Sequence, residues 1–269
     1  MARQRFTITL STEILKRLDA LVDGERIRNR SHAAEVILSQ SLRSQRPKVL
    51  ILAGGKGFKS GLLQVQGKPL LQHTLENLSS QGFSDIVISS SREGLNQFKK
   101  KFGDGSSLGI KVSYVMQGNF KPSTAQPVKQ VEQLFTSGHF IVIYGDVLSD
   151  INYSDLVEFH RGQKNNVATM ALTSVEHVSM WGVARLVGSR IFDLEEKPKT
   201  PRSHSHLVNA GIYVFEPSIF KYIGDRTIKL EKEVFPRLAE EGRLVGYSFA
   251  GRWQDVSSMQ TEKAHDVRL

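Results

Sequence analysis

Two places in the chain combine residue types and spacing that suit chemistry on phosphates. Gly54-Gly55-Lys56-Gly57 follows directly on the apolar run Lys48-Val49-Leu50-Ile51-Leu52-Ala53. Glycines after a buried strand let backbone N–H groups approach a phosphate closely. Asp146 follows a second apolar run, Phe140-Ile141-Val142-Ile143-Tyr144, across Gly145. A carboxylate there can hold Mg²⁺ against phosphate oxygens, and a helix cap or turn residue would stand in the same place. A Walker A loop is excluded, because Lys59-Ser60 is present but the glycines it needs fall on Phe58 and Ala53. A third place suits another partner. Arg5, Thr7 and Thr9 alternate with Phe6, Ile8 and Leu10, so a strand here has an apolar face and an Arg/Thr/Thr face able to bond base edges in a DNA major groove.

The elements that must position these residues are legible as alternation. A helix is expected over Gln72 to Gln81, a strand over Asp85 to Ser89 and another over Ile110 to Met116. A helix over Ser123 to Phe135 precedes the strand Phe140 to Tyr144. Such βα alternation predicts an α/β, Rossmann-like sandwich with its chemistry at the carboxyl ends of the strands. Ahead of it, Ser11 is an N-cap for a helix carrying Ile14, Leu15, Leu18, Leu21 and Val22, closed by Asp23-Gly24. Ser31 caps a second helix carrying Ala34, Val36, Ile37, Leu38 and Leu42, and Pro47 fixes the exit. The expected domains are therefore 1–46 and 47–269.

Composition narrows the classes. The chain has 269 residues, a net charge of +9 and no cysteine, which excludes disulfides, cysteine zinc sites, iron–sulfur clusters and thiol nucleophiles. No run approaches the ~18 apolar residues of a membrane span, and the start has no signal-peptide core, so a soluble, cytoplasmic protein without a membrane partner is expected. Residues 1–48 hold ten basic side chains against five acidic ones, a bias toward polyphosphate partners. His204 and His206 read as a surface loop, Lys99-Lys100-Lys101 as a solvated helix end, and Leu230 to Leu238 as a packing helix.

Arg5-Phe6-Thr7-Ile8-Thr9-Leu10-Ser11, followed by Ile14-Leu15 and Leu18, resembles the ribbon-helix-helix family over about residues 3–45. The resemblance implies an intertwined homodimer, or a higher oligomer, whose paired strands enter the major groove of double-stranded DNA. Arg5, Thr7 and Thr9 would read bases, and the helix start at Ser31-His32 would grip a phosphate.

From residue 48 to about 260 the chain resembles the sugar-phosphate nucleotidyltransferases. The segments that carry the likeness are Leu52 to Gly57, Gly67-Lys68-Pro69-Leu70-Leu71, Gln117 with Ser123-Thr124-Ala125, and Tyr144-Gly145-Asp146. Trp181-Gly182-Val183, Glu195-Glu196-Lys197-Pro198, Asn209 to Phe215 and Trp253-Gln254-Asp255-Val256 complete them. The likeness implies that Asp146 and Asp255 hold Mg²⁺ and that Lys197 neutralises a sugar phosphate. Glu196, Asn209 and Gly211 would meet sugar hydroxyls, and Gly54, Gly55, Gly57, Lys68 and Gln117 the nucleotide.

The chain departs from that family at its signature loop. Phe58 stands where the family has threonine, Lys59 where it has arginine, and Ser60-Gly61 replaces the stretch with a Pro-Lys-Pro lysine. Those two cations clamp the triphosphate as pyrophosphate leaves. Lys59 keeps a charge without a bidentate fork, and losing such a donor costs on the order of 10²–10³ in turnover. The leading expectation is a DNA-binding transcriptional regulator whose large domain binds a nucleotide, sugar phosphate or nucleotide sugar as effector. The alternative is a working Mg²⁺-dependent sugar-1-phosphate nucleotidyltransferase, with Lys59 and Lys197 as its catalytic cations. An inert scaffold is the third.

Overall fold

The computed structural model describes residues 7–44, 46–55, 57–118, 121–199 and 205–258. The chain divides into two compact units, Met1–Arg46 and Pro47–Leu269.

In the first unit, α1 (Thr12–Asp19) is capped by the Ser11 hydroxyl, which accepts from the Ile14 N–H. The Asp23 carboxylate accepts from the backbone N–H groups of Glu25, Arg26 and Ile27 and so fixes the turn. The second helix, α2, runs Arg30–Ser44. Its first turn is capped by Asn29, whose Oδ1 accepts from the His32 N–H at 2.9 Å, so Ser31 lies inside the helix rather than at its cap. Arg30 and Asp19 pair across the two helices. Leu18 and Ala33 are buried, whereas Ile8, Ile14, Leu21 and Leu38 are each more than two-fifths exposed. The strand expected through Thr7 and Thr9 is not formed, since residues 7–11 have no regular structure. A lone ribbon has no ladder to join within a single chain. Arg5 lies outside the described residues.

The second unit opens with β1 (Val49–Leu52), α3 (Gly57–Leu62) and the short pair β2 (Gln64–Val65) and β3 (Lys68–Pro69). Then come α4 (Leu70–Ser80), β4 (Asp85–Ser90), α5 (Arg92–Phe102), β5 (Lys111–Met116) and α6 (Gln126–Gln130). The middle holds β6 (Phe140–Tyr144), β7 (Val147–Ser149), α7 (Tyr153–Gly162), β8 (Ala168–Ser174), β9 (Gly182–Val187) and β10 (Arg190–Glu196). The last elements are β11 (Leu207–Phe215), α8 (Phe235–Glu240), β12 (Leu244–Ser248) and β13 (Trp253–Asp255). Among the described residues no helix is long and apolar enough to cross a membrane.

A nine-stranded sheet has the order β5-β4-β1-β6-β11-β8-β12-β10-β9. β5, β4, β1 and β6 are mutually parallel, and β11 joins β6 antiparallel. Burial on both faces explains the unbroken apolar runs of β1 and β6. Along β11 the period of two sends Tyr213 and Phe215 into one core and Ile212 and Val214 into the other. The carboxyl ends of the four parallel strands meet at one edge, where open α/β sheets place their ligands.

Two helices differ from expectation. Instead of one helix over Ser123 to Phe135, only α6 and a 3₁₀ turn at Glu132–Leu134 form. The N–H groups of Thr124 and Ala125 are drawn to the Ile228 carbonyl, and Pro127 supplies no donor. Leu230 to Leu238 begins as a π turn, Leu230–Val234, before α8.

At the opposite sheet edge His160 is buried, with Nδ1 2.7 Å from Thr169 Oγ1 and Nε2 3.0 Å from Glu216 Oε1. His139 lies beside it and accepts from Arg161 Nε. Burial, and secondarily the Arg161 charge, lower the His160 pKa to about 4. An unfolded histidine titrates near 6.5, so the unfolded chain binds this proton first as the pH falls. The stability contributed by neutral His160 is complete above about pH 6.5 and is lost toward pH 4. His160→Gln is therefore expected to flatten the decline of melting temperature between pH 7 and 4.5. An unchanged slope in thermal unfolding would contradict this placement.

Candidate active site

The sheet edge builds the first wall of the site. Ala53 N–H bonds to Ser89 O, Gly145 N–H to Leu52 O and Gln117 N–H to Ser90 O, all at 2.8–2.9 Å, so the ladder continues into the loops. A β-carbon on Gly54 would lie 2.0 Å from Gln117 Oε1, and one on Gly145 would lie 2.7 Å from the Ala53 side chain. At Gly145 only glycine lets the loops close on one another, whereas at Gly54 the end of the Gln117 side chain would have to give way. Gly54, Gly55, Ser91, Arg92, Gln117, Lys121, Thr124, Tyr144 and Asp146 line a cleft of about 830 Å³.

Beyond Asp146 a second cleft of about 560 Å³ is lined by Trp181, Gly182, Glu196, Lys197, Asn209, Gly211, Lys229, Glu231, Lys232 and Asp255, among others. Asn209 Oδ1 accepts from Gly211 N–H at 3.0 Å, and Gly211, at φ +71°, forms a bulge in β11. A side chain there would press on Tyr144 and Val147. Trp253 Nε1 donates to the freed Ala210 carbonyl at 2.8 Å, and the Trp181 ring stands edge-on to Trp253. Lys197 sits at φ +48°, a strained value for a side-chain-bearing residue. Such strain gathers at ligand sites.

Asp146 and Asp255 come together because β13 pairs with β7 in the register Asp255↔Val147. Asp255 Oδ2 accepts from Trp181 Nε1 at 3.0 Å, and its Oδ1 from the Ser257 N–H and hydroxyl. Burial, then repulsion from Asp255, raises the Asp146 pKa to about 6. Burial and the Glu231 charge likewise raise that of Glu196. Two adjacent carboxylates, Asp146 and Asp255, are a hard oxygen donor set that a divalent cation would satisfy.

The structure thus gathers Asp146, Asp255, Glu196, Lys197, Asn209 and Gly211 round one cleft, and Gly54, Gly55 and Gln117 round the other. Lys59 and Lys68 line neither. Gly57 opens α3, where Phe58 and Ser60 are buried and Lys59 between them points outward. Lys68 Nζ pairs with Glu76 at 2.8 Å. Sequence reading missed Glu231, whose Oε1 accepts from Tyr144 and whose Oε2 accepts from Thr124 at 2.7 Å. Its one signal was a charged Lys229-x-Glu231-Lys232 ahead of an amphipathic run. His204 lies outside the described residues, and His206 Nδ1 meets the Val175 carbonyl at 3.0 Å.

Residues 48–261 match the family model described as nucleotidyl transferase. The mannose-1-phosphate guanylyltransferase catalytic subunit beta of Danio rerio is 32% identical over 223 residues, covering 78% of this chain and 61% of that protein. A mannose-1-phosphate guanyltransferase of Yarrowia lipolytica is 31% identical over 229 residues, covering 78% and 60%. The chain therefore spans about three-fifths of the length of these relatives. A Bacillus anthracis protein assigned as a glucose-1-phosphate thymidylyltransferase and solved with a sucrose superposes with a TM-score of 0.73 at 25% identity, over 83% of this chain and 97% of that one.

These likenesses overturn the leading expectation from sequence, a DNA-binding regulator with an effector sensor. The matched relatives carry the names of sugar nucleotidyltransferase enzymes, and the alternative expectation, an enzyme, fits them better. The match begins at residue 48 and leaves the first unit outside it. By its match over residues 48–261, the chain belongs to the nucleotidyl transferase family.

Proposed function

We propose that residues 47–269 transfer a nucleotidyl group from a nucleoside triphosphate to a sugar 1-phosphate and release pyrophosphate. The observation that carries this reading is the wall shared by the two clefts, where Thr124, Tyr144, Asp146, Lys229 and Ser257 line both. A reaction that joins two anions needs two sites opening onto one metal-binding carboxylate, and few residues of other kinds. The names of the relatives make a guanine nucleotide and mannose 1-phosphate the first pair to assay.

Gly54 and Gly55 present backbone to the phosphates, and Gln117 meets the base. Glu196 and Asn209 accept hydrogen bonds from sugar hydroxyls, while Lys197 holds the sugar phosphate. An oxygen of that phosphate attacks the α-phosphorus and forms the new P–O bond. The bond from the α-phosphorus to the β-phosphate oxygen breaks, and pyrophosphate leaves with the electron pair. Asp146 and Asp255 would hold Mg²⁺, which when bound offsets the phosphate charges. Asp255 is oriented for this by Trp181 and Ser257.

The first unit, 1–46, is proposed as an oligomerisation arm of the ribbon-helix-helix kind. A unit this small with Ile14, Leu21 and Leu38 exposed gains stability when a second copy covers them.

Pyrophosphate release with Mg²⁺, a guanine triphosphate and mannose 1-phosphate is expected, and Asp146→Ala should lower it on the order of 10²-fold or more. Release that survives the substitution undiminished, or no release with any triphosphate and hexose 1-phosphate, would sink the reading. Gly54→Ala should raise the KM for nucleotide, because Gln117 must yield, and leave that for sugar phosphate unchanged. In sedimentation, Ile14→Lys with Leu38→Lys should shift the full chain toward monomer; an identical mass distribution would refute the arm's role.

A further inference from the structure

Among the cations that line the clefts, Lys197 and Lys232 face only the smaller one, and Arg92 and Lys121 only the larger. Lys229 lines both. Its ammonium makes no hydrogen bond or ion pair among the described residues, although the residue is half-buried. The Glu196 carboxylate is near enough for the two charges to couple, but no direct bond neutralises the ammonium, and an anionic ligand would complete its surroundings.

The segment that carries it is rigid. The Ile228 carbonyl receives the N–H groups of Thr124 and Ala125 at 3.0 and 3.2 Å, and the Ser123 hydroxyl as well. Glu233 Oε1 accepts from the N–H groups of both Ile228 and Lys229 at 2.8 Å. The π turn starts at the next residue, and π turns gather at functional sites. Lys229 is thus anchored from both sides. Its backbone is fixed in this way, so only the side-chain stem has to settle when charge develops beside it.

The smaller cleft also needs positive charge. Asp146, Glu196, Glu231 and Asp255 face it with three lysines, before any phosphate enters. On the nucleotide side Lys59 points to solvent and Lys68 is committed to Glu76. Among the described residues, the loop that precedes α4 therefore brings no cation to either cleft.

We infer that Lys229 is a catalytic cation of this chain, neutralising charge where the α-phosphate of the nucleotide meets the phosphate of the sugar. The inference rests on the nucleotidyl-transfer reading and assigns it a residue outside the signature loop. Lys229 acts as a point charge on both anions. It moves no proton and takes no part in the P–O bonds that form and break.

The test compares full-length Lys229→Ala and Lys229→Met with Lys232→Ala and the unsubstituted protein. Calorimetry with Mg²⁺ measures affinity for GTP, guanosine and mannose 1-phosphate, and steady-state pyrophosphate release gives kcat and KM. Both Lys229 variants should bind GTP and mannose 1-phosphate about tenfold more weakly, bind guanosine with unchanged affinity, and lower kcat by about tenfold or more. Lys232→Ala should weaken mannose 1-phosphate alone. Because Lys229→Met keeps the aliphatic stem, its melting temperature should match that of the unsubstituted protein, and partial recovery is expected with Lys229→Arg. Unchanged kcat and unchanged affinity for both ligands would overturn the inference. Equal losses of GTP and guanosine affinity, with kcat intact, would overturn it too, by giving Lys229 a packing role. If the unsubstituted protein releases no pyrophosphate, the transfer reading fails. In that event a selective loss of triphosphate affinity in Lys229→Met still supports an anion-holding Lys229, and no loss refutes it.

Discussion

Asp146 and Asp255 are held together against their own repulsion, and much of the second unit exists to keep them there. Asp146 leaves a strand buried on both faces, and Gly145 is bonded back to Leu52. Asp255 arrives on β13, and the Val256 N–H closes on the Asp146 carbonyl at 2.9 Å. The Trp181 indole and Ser257 then occupy the Asp255 oxygens in fixed directions. Burial first, and the Asp255 charge second, raise the Asp146 pKa to about 6, so without a cation the ionised carboxylate is disfavoured there. With two anionic substrates and a divalent ion the same geometry becomes complementary.

The other site residues follow from that anchor. Tyr144 immediately precedes Gly145-Asp146 and donates to Glu231, which in turn accepts from Thr124. One carboxylate so ties β6, the loop before α6 and the π turn into a common wall. Half-buried polar groups satisfied in this way fix one arrangement rather than several. The β11 bulge at Gly211 opens room on the same wall and frees the Ala210 carbonyl for Trp253.

What the sequence disclosed depended on how local the cause was. Asp146 and the Gly54-Gly55 loop were legible because each follows an apolar run that could only be a buried strand. Asp255 was legible only through family likeness, since nothing local says that β13 will pair with β7 from more than a hundred positions away. Lys59 and Lys68 looked like phosphate ligands by position. Burial of Phe58 and Ser60 turned one outward, and Glu76 took the other. Lys229 and Glu231 were hidden in a segment that reads as an amphipathic helix, because a π turn has no simple periodic signature. Ser31 lost its capping role to Asn29, two positions away, within the usual error of helix boundaries. The functional reading favoured by the damaged loop was wrong for a related reason. It weighed one missing pair of cations and could not see a lysine delivered from the other side.

The central claim is that the two clefts hold the two partners of one in-line transfer, and its most direct test is the fate of labelled oxygen. Mannose 1-phosphate carrying ¹⁸O on its non-bridging phosphate oxygens is incubated with GTP, Mg²⁺ and the full chain, and the products are read by ³¹P NMR. Attack by the sugar phosphate on the α-phosphorus predicts a nucleotide sugar with the label confined to its sugar-side phosphate and the new bridge, and unlabelled pyrophosphate. Labelled pyrophosphate, or nucleoside monophosphate with no nucleotide sugar, would contradict it.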